Sequence, residues 1–328
     1  MLKYLMLICG FFMSVVAWGQ LHTVSAVPEL ADFSTLEEAI DNANAGDTIY
    51  VYPGNYNLEG GLTKPLAIVG PGYRRSENGL VSDNLNTGSA QFSNFNILLN
   101  LNGAASISGC LISSINIVAA ADVKIERCYI SRNIEVASSS NIVLRQNFIY
   151  ADGASSLKSD FEGVDGLVFY NNIFNRRDTF RVDEISSSLI MHNVFGSSSR
   201  AFVINNSMVK NNVFEFRNAI SLSSINNSIV DHNIKFNGSC FGTNCQVYSS
   251  LVFVSPEGIS FDGQYQLSAN STARGAGVNG VDCGVFGGDF PYQLSGLPPI
   301  PLIYDLDMPD NAQTGTPLNV NVKVKAQN

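Results

Sequence analysis

Between residues 152 and 184, eleven of 33 positions are charged, in a chain that is 14% charged overall. Their types suggest chemistry on a saccharide. Arg176, Arg177 and Arg181, with Asp178 among them, could hold the carboxylates or hydroxyls of an acidic glycan, because a guanidinium presents a planar fork of donors that matches a carboxylate. Asp160, Glu162 and Asp165 are hard oxygen donors of the kind that ligate Ca²⁺. Lys158 or Arg181 could act as a base. The same charges also fit a solvated loop and turn face on which opposite signs neutralise one another. The choice turns on whether these side chains come from adjacent turns of one scaffold at matching positions.

That scaffold is written as a repeat. The phrases LIMHNVF (189–195), MVKNNVF (208–214) and SIVDHNIKF (228–236) return with one register. Aligned on the residue before the closing apolar pair, the column reads Cys110, Cys128, Asn147, Asn172, Asn193, Asn212 and Asn233, at intervals of 18, 19, 25, 21, 19 and 21. Three places before it and one place after it, every residue is apolar. Segments this short and this rich in β-branched and aromatic residues form strands separated by turns, and a period near twenty marks a solenoid. Coils stacked at an inter-strand spacing of about 4.8 Å put like on like, so the amides make a ladder and the apolar columns a core. The repeat therefore predicts an all-β parallel β-helix of about ten coils.

The long interval between Asn147 and Asn172 places extra residues within 150–166, and a bulge there would wall a groove beside the charged cluster. His192 and His232 stand one place before the column, where other coils carry Arg127, Gln146, Asn171 and Asn211. A polar position repeated in coil after coil points to solvent or to hydrogen bonds flanking the ladder. An active site occurs once.

Residues 1–19 read as an export signal: Lys3, an apolar run over 5–16, then Ala17-Trp18-Gly19 with small residues at the cleavage positions. The run is short for a membrane span, which predicts a protein without a transmembrane segment after cleavage, exported to the periplasm, the cell surface or the medium. A net charge of −9 with no long basic run argues against nucleic acid as a partner. Five cysteines follow the signal. Cys240 and Cys245 bracket a turn-forming Phe-Gly-Thr-Asn and could pair in an oxidising compartment. Cys110 and Cys128 continue the ladder column as buried thiols, since stacked side chains run parallel rather than towards each other. The pairing of Cys283 is left open, and no Cys/His spacing suggests zinc.

Residues 33–46 predict an amphipathic helix, with Leu36, Ala39, Ile40 and Ala43 on one face, Ser34 and Glu37 as a capping box, and Gly46 as the stop. Such a helix within residues 20–47 would cover the open end of a stack spanning 48–290. The phrase STLEEAIDNANAGDTIYVYPGNY (34–56), the Asn-column repeats and VDCGVFGG (281–288) resemble the cap, coils and last coils of pectin-lyase-like right-handed parallel β-helix proteins, over roughly residues 24–290. That superfamily holds lyases, hydrolases, adhesins and proteins without known activity, so the resemblance implies an architecture more than a chemistry. It also implies what an enzyme here would need. A lyase requires a base and a means, often Ca²⁺, to neutralise a uronate; a hydrolase requires paired carboxylates. The polygalacturonase-like Asn-Thr-Asp, Asp-Asp and Gly-His-Gly motifs are missing, as is the pectate-lyase-like Arg-x-Pro-x-x-Arg.

A Pro-rich linker is expected over 291–301, then a hairpin within 302–328 from strands near 302–308 and 318–324. Two functions remain in view. One is a non-catalytic, monomeric exported β-helix, a surface, adhesive or glycan-binding protein whose partner is a polysaccharide or cell-surface glycan, without a cofactor. The other is a polysaccharide lyase acting on a uronate-containing glycan, with Ca²⁺ as its possible cofactor.

Overall fold

The computed structural model describes residues 19–58, 60–81, 88–98, 104–150, 158–175, 179–196, 199–215, 224–249, 252–254, 259–309, 314–315 and 317–325. The export signal expected over 1–19 falls outside them except for Gly19. Among the described residues no helix is long and apolar enough to cross a membrane.

The chain winds into a parallel β-helix. One face is a ten-stranded parallel sheet with one rung per coil, from Leu21–Val24 and Thr48–Val51 to Ile229–Asp231. The long strand Leu111–Val118 pairs with both Tyr129–Ile130 and Ile134–Ala137, so the second sheet forks into two further faces. Alternation decides which side chains enter: Ile107, Ile125, Leu144, Phe169, Ile190 and Val209 of the first face all point inward and are at most 2% exposed. About seven coils carry all three faces among the described residues, fewer than the ten expected. The rungs Leu21–Val24, Thr48–Val51 and Ile229–Asp231 have no third-face strand among the described residues, and the stack closes at Gln246–Tyr248 instead of continuing to residue 290.

At the corner leading into the forked sheet, Asn147, Asn172, Asn193, Asn212 and Asn233 are fully buried in single file. Each Oδ1 accepts the backbone N–H of its counterpart in the preceding coil, as in Asn172 N to Asn193 Oδ1 at 2.9 Å. Each Nδ2 reaches a carbonyl of the preceding coil, as in Asn193 Nδ2 to Phe169 O at 2.9 Å. A bend that removes backbone groups from the sheet ladder thus has them satisfied by side chains, which an apolar residue could not do. Cys110 and Cys128 end the file as free buried thiols, and Cys128 N donates to Asn147 Oδ1. A second file went unread in the sequence. Ser188, Ser207 and Ser228, five places before the Asn column, accept the N–H of Leu167, Ser188 and Ser207.

Both ends are covered. Helix α1 (Leu36–Asn42) lays Leu36, Ala39 and Ile40 on the first rungs. Its cap is Thr35, whose side chain accepts Glu38 N, in place of the expected Ser34 and Glu37; the helix starts one residue later, so the cap moves with it. Stacking begins ahead of this helix, at Leu21–Val24, instead of at residue 48. At the far end a Cys240–Cys245 disulfide closes a loop. Phe241 from that loop packs edge-on against Phe214 of the core, with ring centroids 5.0 Å apart.

The largest departure from expectation follows. Residues 252–254 and 259–297 form a strap that runs back down the outside of the stack. VDCGVFGG belongs to this strap and not to a last coil. The strap buries a second apolar cluster in which Tyr129, Phe148, Ile173, Val194, Val213 and Ile234, one place after the ladder column, meet Val252, Phe253, Tyr265, Leu267, Val285 and Tyr292. Packing continues through Leu297, so the expected linker is reduced to a few residues. Gly296, at a φ of 56°, sits where a β-carbon would come within 2.1 Å of Arg127 O, so only glycine fits. Beyond it, Leu302–Asp307 and Asn321–Lys325 pair as an antiparallel hairpin whose second strand is exposed throughout.

Candidate functional site

The charged cluster comes together, but around its own arginine. On adjacent strands Asp160 is in register with Arg181, and Glu162 with Asp183. The Arg181 guanidinium reaches Asp183 at 2.5 Å, Glu162 at 3.2 Å and Asp160 at 3.6 Å. The hydrogen bond to Asp183 first, then the neighbouring carboxylates, hold its proton more tightly than usual. A guanidinium so engaged is a poor base and a poor clamp for a glycan carboxylate. The signal was present in the sequence: Asp160 and Arg181 are 21 residues apart, the interval of that coil.

Asp165 is separated from the others by a corner. It accepts Ser186 Oγ at 2.8 Å, and the Ser186 and Ser187 bonds keep its carboxyl below the ordinary range. The Ca²⁺ set of Asp160, Glu162 and Asp165 therefore does not fit a cation: two members face Arg181 and the third faces elsewhere. Among the described residues no three His, Cys, Asp or Glu side chains are placed to hold a metal. Arg176, Arg177 and Asp178 lie outside the described residues, as does the side chain of Lys158.

His192 is 2% exposed beneath the strap, where Asn211 Nδ2 donates to its Nε2 at 3.0 Å and burial lowers its pKa. Its column is left-handed at every coil from Arg127 to His232, and from Arg127 to Asn211 its polar groups meet the strap backbone, whereas His232 turns to Asp231. Asn171 Nδ2 reaches Val285 O at 2.6 Å, and Arg127 reaches Leu297 O at 2.8 Å. These residues fasten the strap, which explains why polar types recur there. Cys283 is also buried in the strap, and burial pushes its thiol up to about 12.

An open groove of about 610 Å³ lies elsewhere, on the first coils ahead of the strap, lined by Asn55, Gln91, Phe92, Ser93, Leu111, Ser113, Ser114, Ser131 and Arg132. Parallel pairing builds it. Asn55, Gln91 and Leu111 stack in one register, and Ser113 and Ser131 stand three places after Cys110 and Cys128. In the next coil that place is held by Tyr150, which does not line the groove. Arg132 is exposed and makes no ion pair among the described residues. Hydroxyls, two amides and one guanidinium over an apolar floor can hydrogen-bond sugar hydroxyls and pair with an occasional acidic group. Positions 113–114 and 131–132 lie within the Cys110–Asn233 repeat, whereas Gln91 and Ser93, which supply the other wall, precede it.

No family model matches the chain, and no curated protein matches it. Among solved structures it is similar to the pectate lyase Pel9A at 14% identity, over 82% of this chain and 96% of that one, with a TM-score of 0.39. A rhamnogalacturonan lyase matches at 12% identity over 68% of this chain and 70% of its own, with a TM-score of 0.31. A mutant of the PL6 family alginate lyase AlyGC matches at 15% identity, over 74% of this chain and 42% of its own, with a TM-score of 0.30. Likeness at this level carries no activity to the chain. The parallel β-helix implied by the resemblance to pectin-lyase-like proteins is the architecture its own strand pairing shows.

Proposed function

We propose that the chain is an exported β-helix protein that binds a glycan, without transforming it, in the groove centred on Arg132. The observation that carries this proposal is the groove itself: an open trough of about 610 Å³ lined by serines, Asn55, Gln91 and one arginine with no ion-pair partner among the described residues. A saccharide presents hydroxyls along its length, and a row of short polar side chains at the coil spacing offers partners for successive sugars. The alternative is a polysaccharide lyase acting on a uronate-containing glycan with Lys158 or Arg181 as base. The three carboxylates around Arg181 favour the binding role.

Titration calorimetry against a panel of neutral and uronate-containing oligosaccharides tests the proposal. Binding to at least one member, weakened in Arg132→Ala, supports it, and no heat with any member sinks it. Release of an unsaturated product, followed by ultraviolet absorbance on the same panel with Ca²⁺ present, would replace it with the lyase.

A further inference from the structure

The end of the stack opposite helix α1 is closed by the six residues from Cys240 to Cys245, joined at their ends by the disulfide. Their backbone caps the last rung of the first face. Thr243 N donates to Val230 O at 2.9 Å, and His232 N donates to Thr243 O at 3.0 Å, so the edge of Ile229–Asp231 is paired. Side chains repeat the connection: Asp231 Oδ1 accepts Thr243 Oγ1 at 2.8 Å and Asn244 Nδ2 at 3.0 Å. Gly242 lies directly on that rung, since a β-carbon there would stand 2.3 Å from Val230 O. Phe241 enters the core beside Phe214, which lies one rung inside Lys235. Lys235 is an amine on the inward face of Ile234–Phe236, 1% exposed. The sulfurs of this loop are placed unlike the other thiols. Cys240 is exposed and Cys245 half-buried, whereas Cys110, Cys128 and Cys283 are free and buried.

We propose that the Cys240–Cys245 bond is a redox-released lock on this cap: oxidised, it holds residues 240–245 over the end of the core, and reduced, it lets them lift away. The chemistry is thiol–disulfide exchange with a dithiol reductant, and a disulfide at the surface is the more readily reduced kind. A thiolate of the reductant attacks Cys240 Sγ, the exposed end, and Cys245 leaves as a thiolate. The reductant's second thiolate then attacks the mixed disulfide and releases Cys240. Two electrons pass to the protein's sulfurs, and the reductant ends as a disulfide. The loop's other holds lie at the surface: Phe241 is only partly buried, and Gly242, Thr243 and Asn244 are exposed. Gly242 and Asn244 also keep left-handed backbone, at φ of 80° and 48°. An open loop regains the freedom that the crosslink denies it, and for six residues the chain-entropy relation gives about 40-fold easier opening. Release bares the edge of Ile229–Asp231 and admits water to Lys235.

The experiment treats the full chain with dithiothreitol under native conditions. Iodoacetamide identifies the released thiols, and hydrogen exchange reads the cap in the reduced chain. Alkylation is expected at Cys240 and Cys245, with Cys110, Cys128 and Cys283 unmodified. Exchange over residues 229–232 and 241–246 should rise about 40-fold, while residues 189–191, two rungs inside, keep their rate. Acetylation of Lys235 should rise with it. Cys240→Ser/Cys245→Ser, without reductant, should exchange as the reduced chain does. A bond that resists dithiothreitol in the folded chain overturns the proposal. So does exchange at the oxidised rate in the fully reduced chain or in the serine variant. Faster exchange throughout the stack also overturns it, because the bond would then hold the whole fold and not a cap.

Discussion

Two stretches of one outward column behave in opposite ways. Over the first coils the position carries Ser113 and Ser131, nothing among the described residues covers it, and a groove results. Over the later coils it carries Tyr150, Asn175, Gly196 and Glu215, and the strap lies on it. The neighbouring column differs in the same sense. Leu111 lines the groove, whereas Phe148, Ile173 and Val194 are fully buried under the strap. The backbone path is the same in both, so the side chains and the returning strap decide which half meets solvent. A solenoid repeats its interior, and its exterior is free to differ coil by coil.

The comparison rests on the stack. Asn193→Ala should cost the most, about 2–6 kcal/mol by denaturant unfolding, because at least two buried backbone groups, Asn172 N and Phe169 O, lose their partner. A loss below about 1 kcal/mol would remove the ladder as the register-setting element. Phe148→Ala should cost about 3–5 kcal/mol, since the ring is fully buried against Tyr129, Phe261 and Tyr265. Ser131→Ala in the open half should stay within about 0.5 kcal/mol. Equal costs for these two would erase the distinction between covered and open halves.

The third effect is one of pH. A carboxyl raised by burial to about 7 gives the folded state extra proton affinity, so its favourable contribution is complete below its unfolded value. That contribution is lost as pH climbs from about 4.5 to 7, by about 3 kcal/mol in all, and the loss should vanish in Glu215→Gln. Arg132→Ala should weaken glycan binding about tenfold, as for one charge-assisted hydrogen bond, and leave stability unchanged. A small effect is expected of Arg181→Ala. Its partners are partly exposed, so about 1 kcal/mol or less is expected, with glycan affinity intact.

How far the sequence could be read follows from what each feature repeats. The Asn file repeats in type and interval because every coil presents the same unsatisfied groups at the same bend. The serine file five places earlier has equal regularity at Ser188, Ser207 and Ser228, but serine is common in turns and did not stand out. Arg181 reads as a ligand clamp in the sequence because two of its three partners, Asp160 and Glu162, stand one coil away, and only the interval of 21 places Asp160 beside it. The strap was illegible for a different reason. Val281 to Gly288 has the apolar and glycine content of a coil, and nothing local distinguishes pairing in the stack from lying across it. Its receptors were in view as the polar column from Arg127 to Asn211, whose left-handed backbone turns polar groups outward to a segment 67 to 170 residues away. The groove was missed because one wall comes from Gln91 and Ser93, within a stretch whose irregular length concealed its register.

The most direct measurement is a hydrogen-exchange footprint with whichever oligosaccharide of the panel gives heat. If the open half is the ligand face, protection should appear at residues 91–93, 111–114 and 131–132, and be absent from 259–267. Protection confined to the strap or to residues 179–186, with none along the groove, would contradict it.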